Sequence, residues 1–177
     1  MANIKDLQKN IFQNLKDRFG WHNVFQAPKV EKIVVSVGVG KVKDKNKTAV
    51  IIDRLTRITG QKPSPRPAKK SIATFKLREG DIVGYQVTLR GKRMHDFLEK
   101  LIHIAFPRTR DFRGISRTAI DEMGNITVGI REHTIFPETS DEDLKDVFGL
   151  AITIVTSAKN REEAAAFLEA IGFPIQK

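Results

Sequence analysis

Between Gln61 and Arg78 the chain carries six basic side chains, Lys62, Arg66, Lys69, Lys70, Lys76 and Arg78, and no acid. Such a run matches a phosphate backbone, whose counterions it can displace. Phe75 lies inside the run, a ring on which a base or sugar can pack. A second cationic group, Arg90, Lys92 and Arg93 around Gly91, stands where a helical stripe begins. The helix dipole disfavours cations there, so three of them with a glycine that admits close approach make a ready phosphate site. Lys69 and Lys70, with the group from Arg90 to Arg93, are therefore candidate polyanion contacts.

Catalytic chemistry finds no comparable support. The four histidines, His22, His95, His103 and His133, show neither HxxxH nor HExxH spacing and read as isolated surface residues, so no metal and no cofactor is expected. Gly38-Val39-Gly40-Lys41 lacks the full phosphate-loop pattern, since Val42 follows the lysine. Asp141, Glu142 and Asp143 lack the glycine and distal glutamate of a calcium loop and, behind Ser140, read as first-turn acids of a helix. No Ser, His and Asp set can be assembled from spacing alone, so no catalytic residue is assigned and the chain is read as a non-enzyme.

The 177 residues, 40% of them hydrophobic, suit one compact domain over 1–177, with a projecting basic loop at about 61–82. With no cysteine, disulfides and thiolate metal sites are excluded and a reducing, cytoplasmic setting is expected. The charged N-terminus does not resemble a signal peptide, and no later stretch reads as a membrane span, so no membrane partner is expected. The net charge of +10 is unevenly spread. Up to Thr118 there are 26 basic and 10 acidic residues, a net of +16; from Ala119 there are 5 and 11, a net of −6. One surface should seek phosphate and another avoid it.

The elements that must position these groups follow from periodicity. Ile4, Leu7, Ile11, Leu15 and Phe19 give a helix ended by Gly20, with Trp21 standing alone after it. Ile33, Val35, Val37 and Val39 alternate with Lys32, Val34, Ser36 and Gly38 as a strand. Ile51, Leu55 and Ile58 give a helix closed by Gly60, and Pro63, Pro65 and Pro67 then forbid helix and central strand alike. The excursion that follows should turn at its tip through Glu79-Gly80-Asp81. Val83, Tyr85, Val87 and Leu89 alternate with Gly84, Gln86, Thr88 and Arg90 in the next strand. The stripe from Met94 to Ala105 is a helix stopped by Pro107, and a polar loop runs from Arg108 to about Asn125. Strands at Ile126–Ile130 and around Leu150–Ile154 precede a last helix with Asn160 as N-cap and Glu163 behind it. The class is α+β: a mainly antiparallel sheet with helices on one face and the Ser, Thr, Gln and Arg row open on the other. Exposed rings are too few for a single-strand stacking platform, whereas hydroxyl, amide and guanidinium groups suit folded RNA, its phosphates and its 2′-hydroxyls.

Several segments together resemble one family. Lys32-Ile33-Val34-Val35-Ser36-Val37-Gly38-Val39-Gly40, Ile58-Thr59-Gly60-Gln61-Lys62-Pro63, Phe75-Lys76-Leu77-Arg78-Glu79-Gly80, Val87-Thr88-Leu89-Arg90-Gly91, Asp111-Phe112-Arg113-Gly114 and Ile135-Phe136-Pro137-Glu138 closely resemble the bacterial form of large-subunit ribosomal protein five. The likeness runs in order along nearly the whole chain.

The resemblance implies a structural constituent of the cytoplasmic ribosome, seated in the central protuberance of the large subunit. It implies four partners: 5S rRNA, large-subunit rRNA, the P-site tRNA and, across an intersubunit bridge, small-subunit ribosomal protein thirteen. The 5S contacts of the family fall on Ser36, Gln61, Phe75, Thr88 and Arg90, beside Gly91, Lys92, Arg93, Lys69 and Lys70 from the charge reading. The tRNA-facing loop corresponds to Ser71–Asp81, with Ser71, Thr74, Lys76, Arg78 and Gly80. The bridge set corresponds to Arg110, Asp111, Phe112, Arg113 and Glu138, where an acidic C-terminal part would suit a basic partner. Two positions depart from the family: Ser36 replaces a usual Asn, keeping a donor and an acceptor on a shorter arm, and Lys41 replaces a frequent acid.

Overall fold

The computed structural model describes residues 4–40, 45–139 and 147–176. The chain folds as α+β around a five-stranded antiparallel sheet in the order β2-β3-β1-β5-β4. The strands are β1 (Val30–Gly38), β2 (Ser64–Pro67), β3 (Ile82–Leu89), β4 (Ile126–Ile130) and β5 (Leu150–Thr156). The described helices include α1 (Ile4–Phe19), α2 (Lys45–Thr59), α3 (Gly91–Lys100), the short α4 (Phe106–Arg108) and α5 (Arg161–Ala170). Lys41 and the acids at 141–143 lie outside the described residues.

The chain divides into two compact units. The first holds residues 1–33, 89–128 and 153–177. There α1 packs on α5 and α3, and Ile11, Leu98, Ile126, Ile154 and Phe167 are buried. Asn160 caps α5 by accepting from the Glu163 N–H at 2.8 Å, and the Glu163 carboxylate accepts from the Lys159 N–H at 2.8 Å. Both anchor the helix start as its sequence predicts, satisfying donors that no turn of helix can reach. Trp21 does not stand alone: its ring stacks on Phe19 at 5.4 Å, so the end of α1 and the loop after it share one apolar cluster.

Pro107 does not stop the third helix. A π turn, Leu101–Ala105, follows α3, with the Phe106 N–H bonded to the Leu101 carbonyl, and the helical path continues through Pro107 to Arg108. The wider turn makes room for a ring that would otherwise press on the carbonyl four residues back. Thr109 then ends the path, its hydroxyl donating to the Ala105 carbonyl at 3.1 Å and its N–H to that of Phe106 at 3.0 Å.

The second unit holds residues 34–88 and 129–152. Buried Val35, Val37, Tyr85, Val87, Leu150 and Ile152 form the apolar rows of its strands, and Leu55 and Ile58 the apolar stripe of α2. The prolines permit an edge strand: β2 pairs antiparallel with β3, Ser64 opposite Gln86 and Pro67 opposite Ile82, with an irregularity between Arg66 and Pro67. Edge position leaves the missing N–H groups without consequence. Gly84, placed by alternation on the open row, is buried instead, because a Cβ there would lie 2.8 Å from the Val37 carbonyl oxygen. The steep sign change along the sequence does not follow this division. The first unit has 17 basic and 11 acidic residues and the second 14 and 10, so both are basic.

Candidate nucleic-acid interface

In the second unit the basic run is built into a long hairpin. Beyond β2 and β3 the Ala68 N–H donates to the Asp81 carbonyl at 2.8 Å, and the Gly80 N–H donates back to the Ala68 carbonyl at 3.1 Å. Further out, Ile72 and Leu77 exchange backbone bonds of 3.0 and 3.1 Å. The tip is the 3-10 turn Ala73–Phe75, closed by Lys76 in the left-handed region at φ 52°. The Glu79-Gly80-Asp81 turn is therefore not the tip but the neck, where the Asp81 carboxylate accepts from the Arg78 N–H at 2.8 Å and Ser71 Oγ accepts from the Glu79 N–H at 2.9 Å. Local composition marks a turn, but which turn is outermost depends on the pairing of its flanks.

Lys62, Arg66, Lys69, Lys70, Lys76 and Arg78 line this arm and the turn leading into it, and the tip residues Thr74 and Phe75 stand in solvent, Phe75 at 74% exposure. The tip thus joins Phe75, which the resemblance gives to 5S rRNA, with the residues it gives to tRNA. On the strands, Ser36 and Thr88 are half-buried between buried neighbours on the adjacent strands β1 and β3. Gln61 Nε2 donates to the Thr88 carbonyl at 3.4 Å, while Thr59 Oγ1, itself donating to the Leu55 carbonyl at 2.6 Å, holds the turn after α2. Two of the expected RNA contacts, Gln61 and Thr88, are brought together by that bond.

In the first unit Arg90 is the N-cap of α3, with no side-chain capping bond, and Arg90, Gly91, Lys92 and Arg93 are all exposed. The first turn of α3 holds no acid, and Met94 behind it is buried. This leaves three cations at the positive end of a ten-residue helix. An anion arriving there meets both the side chains and the free N–H groups of the turn.

The bridge set is not gathered in one unit, since Glu138 belongs to the second and the other four to the first. Arg110, Asp111 and Arg113 are exposed. Phe112 is committed inward, stacked on Phe106 at 5.2 Å, and Phe106 meets Phe173 edge-on at 5.4 Å. Several acids of the C-terminal part have local work: Glu169 pairs with Arg117 at 2.7 Å, and Asp121 accepts from the Asn125 backbone and amide at 2.7 and 2.9 Å.

His133 is not a surface residue. It is completely buried, stacked on Phe148 at 4.2 Å, and its Nδ1 accepts from the Phe148 N–H at 3.3 Å. Burial, and then the nearby Arg54 charge, lower its pKa from the ordinary imidazole value of 6.5. The unfolded chain therefore takes up a proton on acidification before the native state does. Stability from this group is complete above about pH 6.5 and is lost progressively below it. Denaturant unfolding between pH 8 and 5 should show that loss, and His133→Phe should flatten the curve; equal slopes for both proteins would exclude His133 as its source.

Sequence reasoning missed Phe25. Its side chain is 95% exposed, on a 3-10 turn at Val24–Gln26, and only the capping pair Asn23 and Gln26 around it could have signalled a rigid turn. Among the described residues no group of three or more His, Asp or Glu is placed to hold a metal, and no helix is long and apolar enough to cross a membrane.

Two family models match most of the chain: "Ribosomal protein L5" over residues 23–78, and the model for the C-terminus of the same ribosomal family over residues 82–175. The chain belongs to the ribosomal protein L5 family. Membership makes it a ribosomal protein, a structural constituent and not an enzyme. The large ribosomal subunit protein uL5 of Ureaplasma urealyticum serovar 10 is 50% identical over 179 residues, covering 100% of this chain and 97% of the relative. The uL5 protein of Thermoanaerobacter sp. (strain X514) is 47% identical over 171 residues, with 96% of each chain covered. That of Mycoplasma mycoides subsp. mycoides SC is 48% identical over 168 residues, covering 94% and 93%. Each unit carries an exposed cationic surface, the start of α3 in the first and the hairpin in the second.

Proposed function

We propose that this L5 protein anchors 5S rRNA to the large subunit of the cytoplasmic ribosome. The observation that carries the reading is the exposed start of α3, where Arg90, Lys92 and Arg93 surround Gly91 with no acid in the turn. The hydroxyl and amide row of Ser36, Gln61 and Thr88, with Lys69 and Lys70, supplies neutral and charged contacts to the same RNA. Arg and Lys fix the backbone, while short polar groups read 2′-hydroxyls and shape. Large-subunit rRNA is the neighbouring partner. The hairpin beyond the neck, with Ser71, Thr74, Lys76, Arg78 and Gly80, faces the P-site tRNA, while Phe75 at its tip belongs to the 5S contacts. Arg110, Asp111, Arg113 and Glu138 face small-subunit ribosomal protein thirteen, and the whole chain acts as a single ribosomal-protein domain.

Competition between 5S rRNA and unrelated transcripts, at one stated salt concentration, tests the central point. A clear preference for 5S rRNA is expected; equal binding of mixed RNAs would make the protein a general RNA binder instead. The hairpin has a separate test. Replacing Ile72–Leu77 by a short Asn-Gly turn removes the tip and keeps the neck bonds between Ala68 and residues 80 and 81. Binding of 5S rRNA should fall by no more than the loss of one stacked ring, about 5- to 100-fold, while P-site tRNA retention by the assembled ribosome drops. Normal tRNA retention would remove the hairpin from that role.

A further inference from the structure

Phe25 is the most exposed of the large hydrophobic side chains described, at 95%, and Val24 beside it is 59% exposed. An apolar ring in water is ordinary when the loop beneath it is loose, but this loop is held at both ends. Asn23 Oδ1 accepts from the Phe25 N–H at 3.0 Å, and Gln26 Oε1 accepts from the His22 and Asn23 N–H groups at 2.8 and 3.3 Å. The Gln26 and Ala27 N–H groups close the turn onto the Asn23 and Val24 carbonyls at 2.9 and 3.2 Å. Five hydrogen bonds thus fix the backbone that carries the ring, and the entropy of presenting it is spent before any partner arrives.

The surroundings are basic and aromatic. Gln26 also lines a cleft of about 180 Å³ walled by the stacked Phe19 and Trp21 on one side and by Lys159 on another. The Arg18 guanidinium stands over the Phe19 ring at 5.3 Å. Glu163 is the one carboxylate lining the cleft, and its oxygen is bonded to the Lys159 N–H. The core of a protein–protein interface is depleted of charge, whereas Lys159 stands in the wall of the cleft beside this turn. A ring on a turn next to this cleft, with Lys159 in its wall and Lys29 four residues further along the chain, fits a base with its phosphate on an rRNA-binding family member.

We infer that Phe25 is the stacking platform for one unpaired rRNA nucleotide, at a contact separate from the 5S set of Ser36, Gln61, Phe75, Thr88 and Arg90. It rests on the chain being an rRNA-bound protein, but not on Arg90 or the hairpin. The nucleotide's base lies on the ring, and its phosphate lies towards Lys159 at the cleft.

The test is photo-crosslinking from the full chain carrying benzoylphenylalanine at position 25, assembled into large subunits. The expected product is a crosslink to RNA at an unpaired nucleotide, and probing 5S and large-subunit rRNA separately decides which RNA supplies it. A crosslink to a protein, or none, overturns the inference. A second measurement uses an RNA fragment containing the crosslinked nucleotide. Phe25→Ala and Phe25→Leu should weaken its binding about 5- to 100-fold, and Phe25→Trp should keep it, because stacking needs a ring. Leu equal to Phe would mean apolar packing and not stacking, and would overturn the inference. Unchanged 5S affinity of the Arg90→Ala variant would sink the proposed α3 contact while leaving this one standing.

Discussion

Replacing Arg90, Lys92 and Arg93 together by Gln should lower 5S rRNA affinity about a hundredfold near 0.15 M salt and reduce the salt slope by about two to three. Each cation that meets a phosphate releases roughly 0.7 to 0.9 of a counterion, so three lost contacts remove that much dependence on log salt. The slope is the decisive readout, because a merely misfolded protein would lose affinity without a defined change in counterion release. All three side chains are exposed and none caps α3, so thermal stability should hold or rise slightly as repulsion at the positive helix end is relieved. An unchanged slope in a filter-binding titration would show that the start of α3 does not touch phosphate. If the slope changes equally for an unrelated transcript, these residues give affinity and the polar row gives selectivity.

Gly124→Ala should cost about 2 to 5 kcal/mol. Gly124 sits at φ +78°, and a Cβ there would lie 2.9 Å from Ala158 Cβ and 3.2 Å from Ala164 Cβ. The backbone strain is about 1 to 2 kcal/mol and the overpacking about 1 to 3, and neither neighbour is the movable end of a long side chain. Its carbonyl also accepts from Thr156 Oγ1 at 2.7 Å, so the turn cannot shift without breaking a buried bond. For a chain of this size a fall in melting temperature of roughly 5–20 °C follows. Gly129→Ala is the control: nothing stands within 4 Å of its Cβ and its φ is not positive, so a change of about 0.5 kcal/mol or less is expected by calorimetry. Similar losses for both would mean that glycine flexibility, and not the contact with Ala158 and Ala164, explains the effect.

These two sites differ in how far they can be read from the chain. The cationic start of α3 is visible as Arg90-Gly91-Lys92-Arg93 before an apolar stripe, because both the charge and the 3.6-residue period are local. The same holds for Ser36 and Thr88, whose place opposite the apolar row follows from the two-residue period of a strand. Gly124, in contrast, sits in an ordinary polar loop; its reason is Ala158 and Ala164, which lie far along the chain and close in space.

Composition, period and charge by themselves determined the α+β class, most helices and strands, the absence of thiol chemistry and the two cationic groups. Each of these depends on neighbours within a few residues along the chain. Tertiary structure decided which of several turns became the hairpin tip, since that rests on the pairing of Ala68 with Gly80 and Asp81 and of Ile72 with Leu77. It also decided that His133 would be buried against Phe148, that Phe112 would stack inward on Phe106, and that Phe25 would stand in water. A side chain's type sets what it gains by burial, but only the segments that arrive beside it determine whether any burial is on offer.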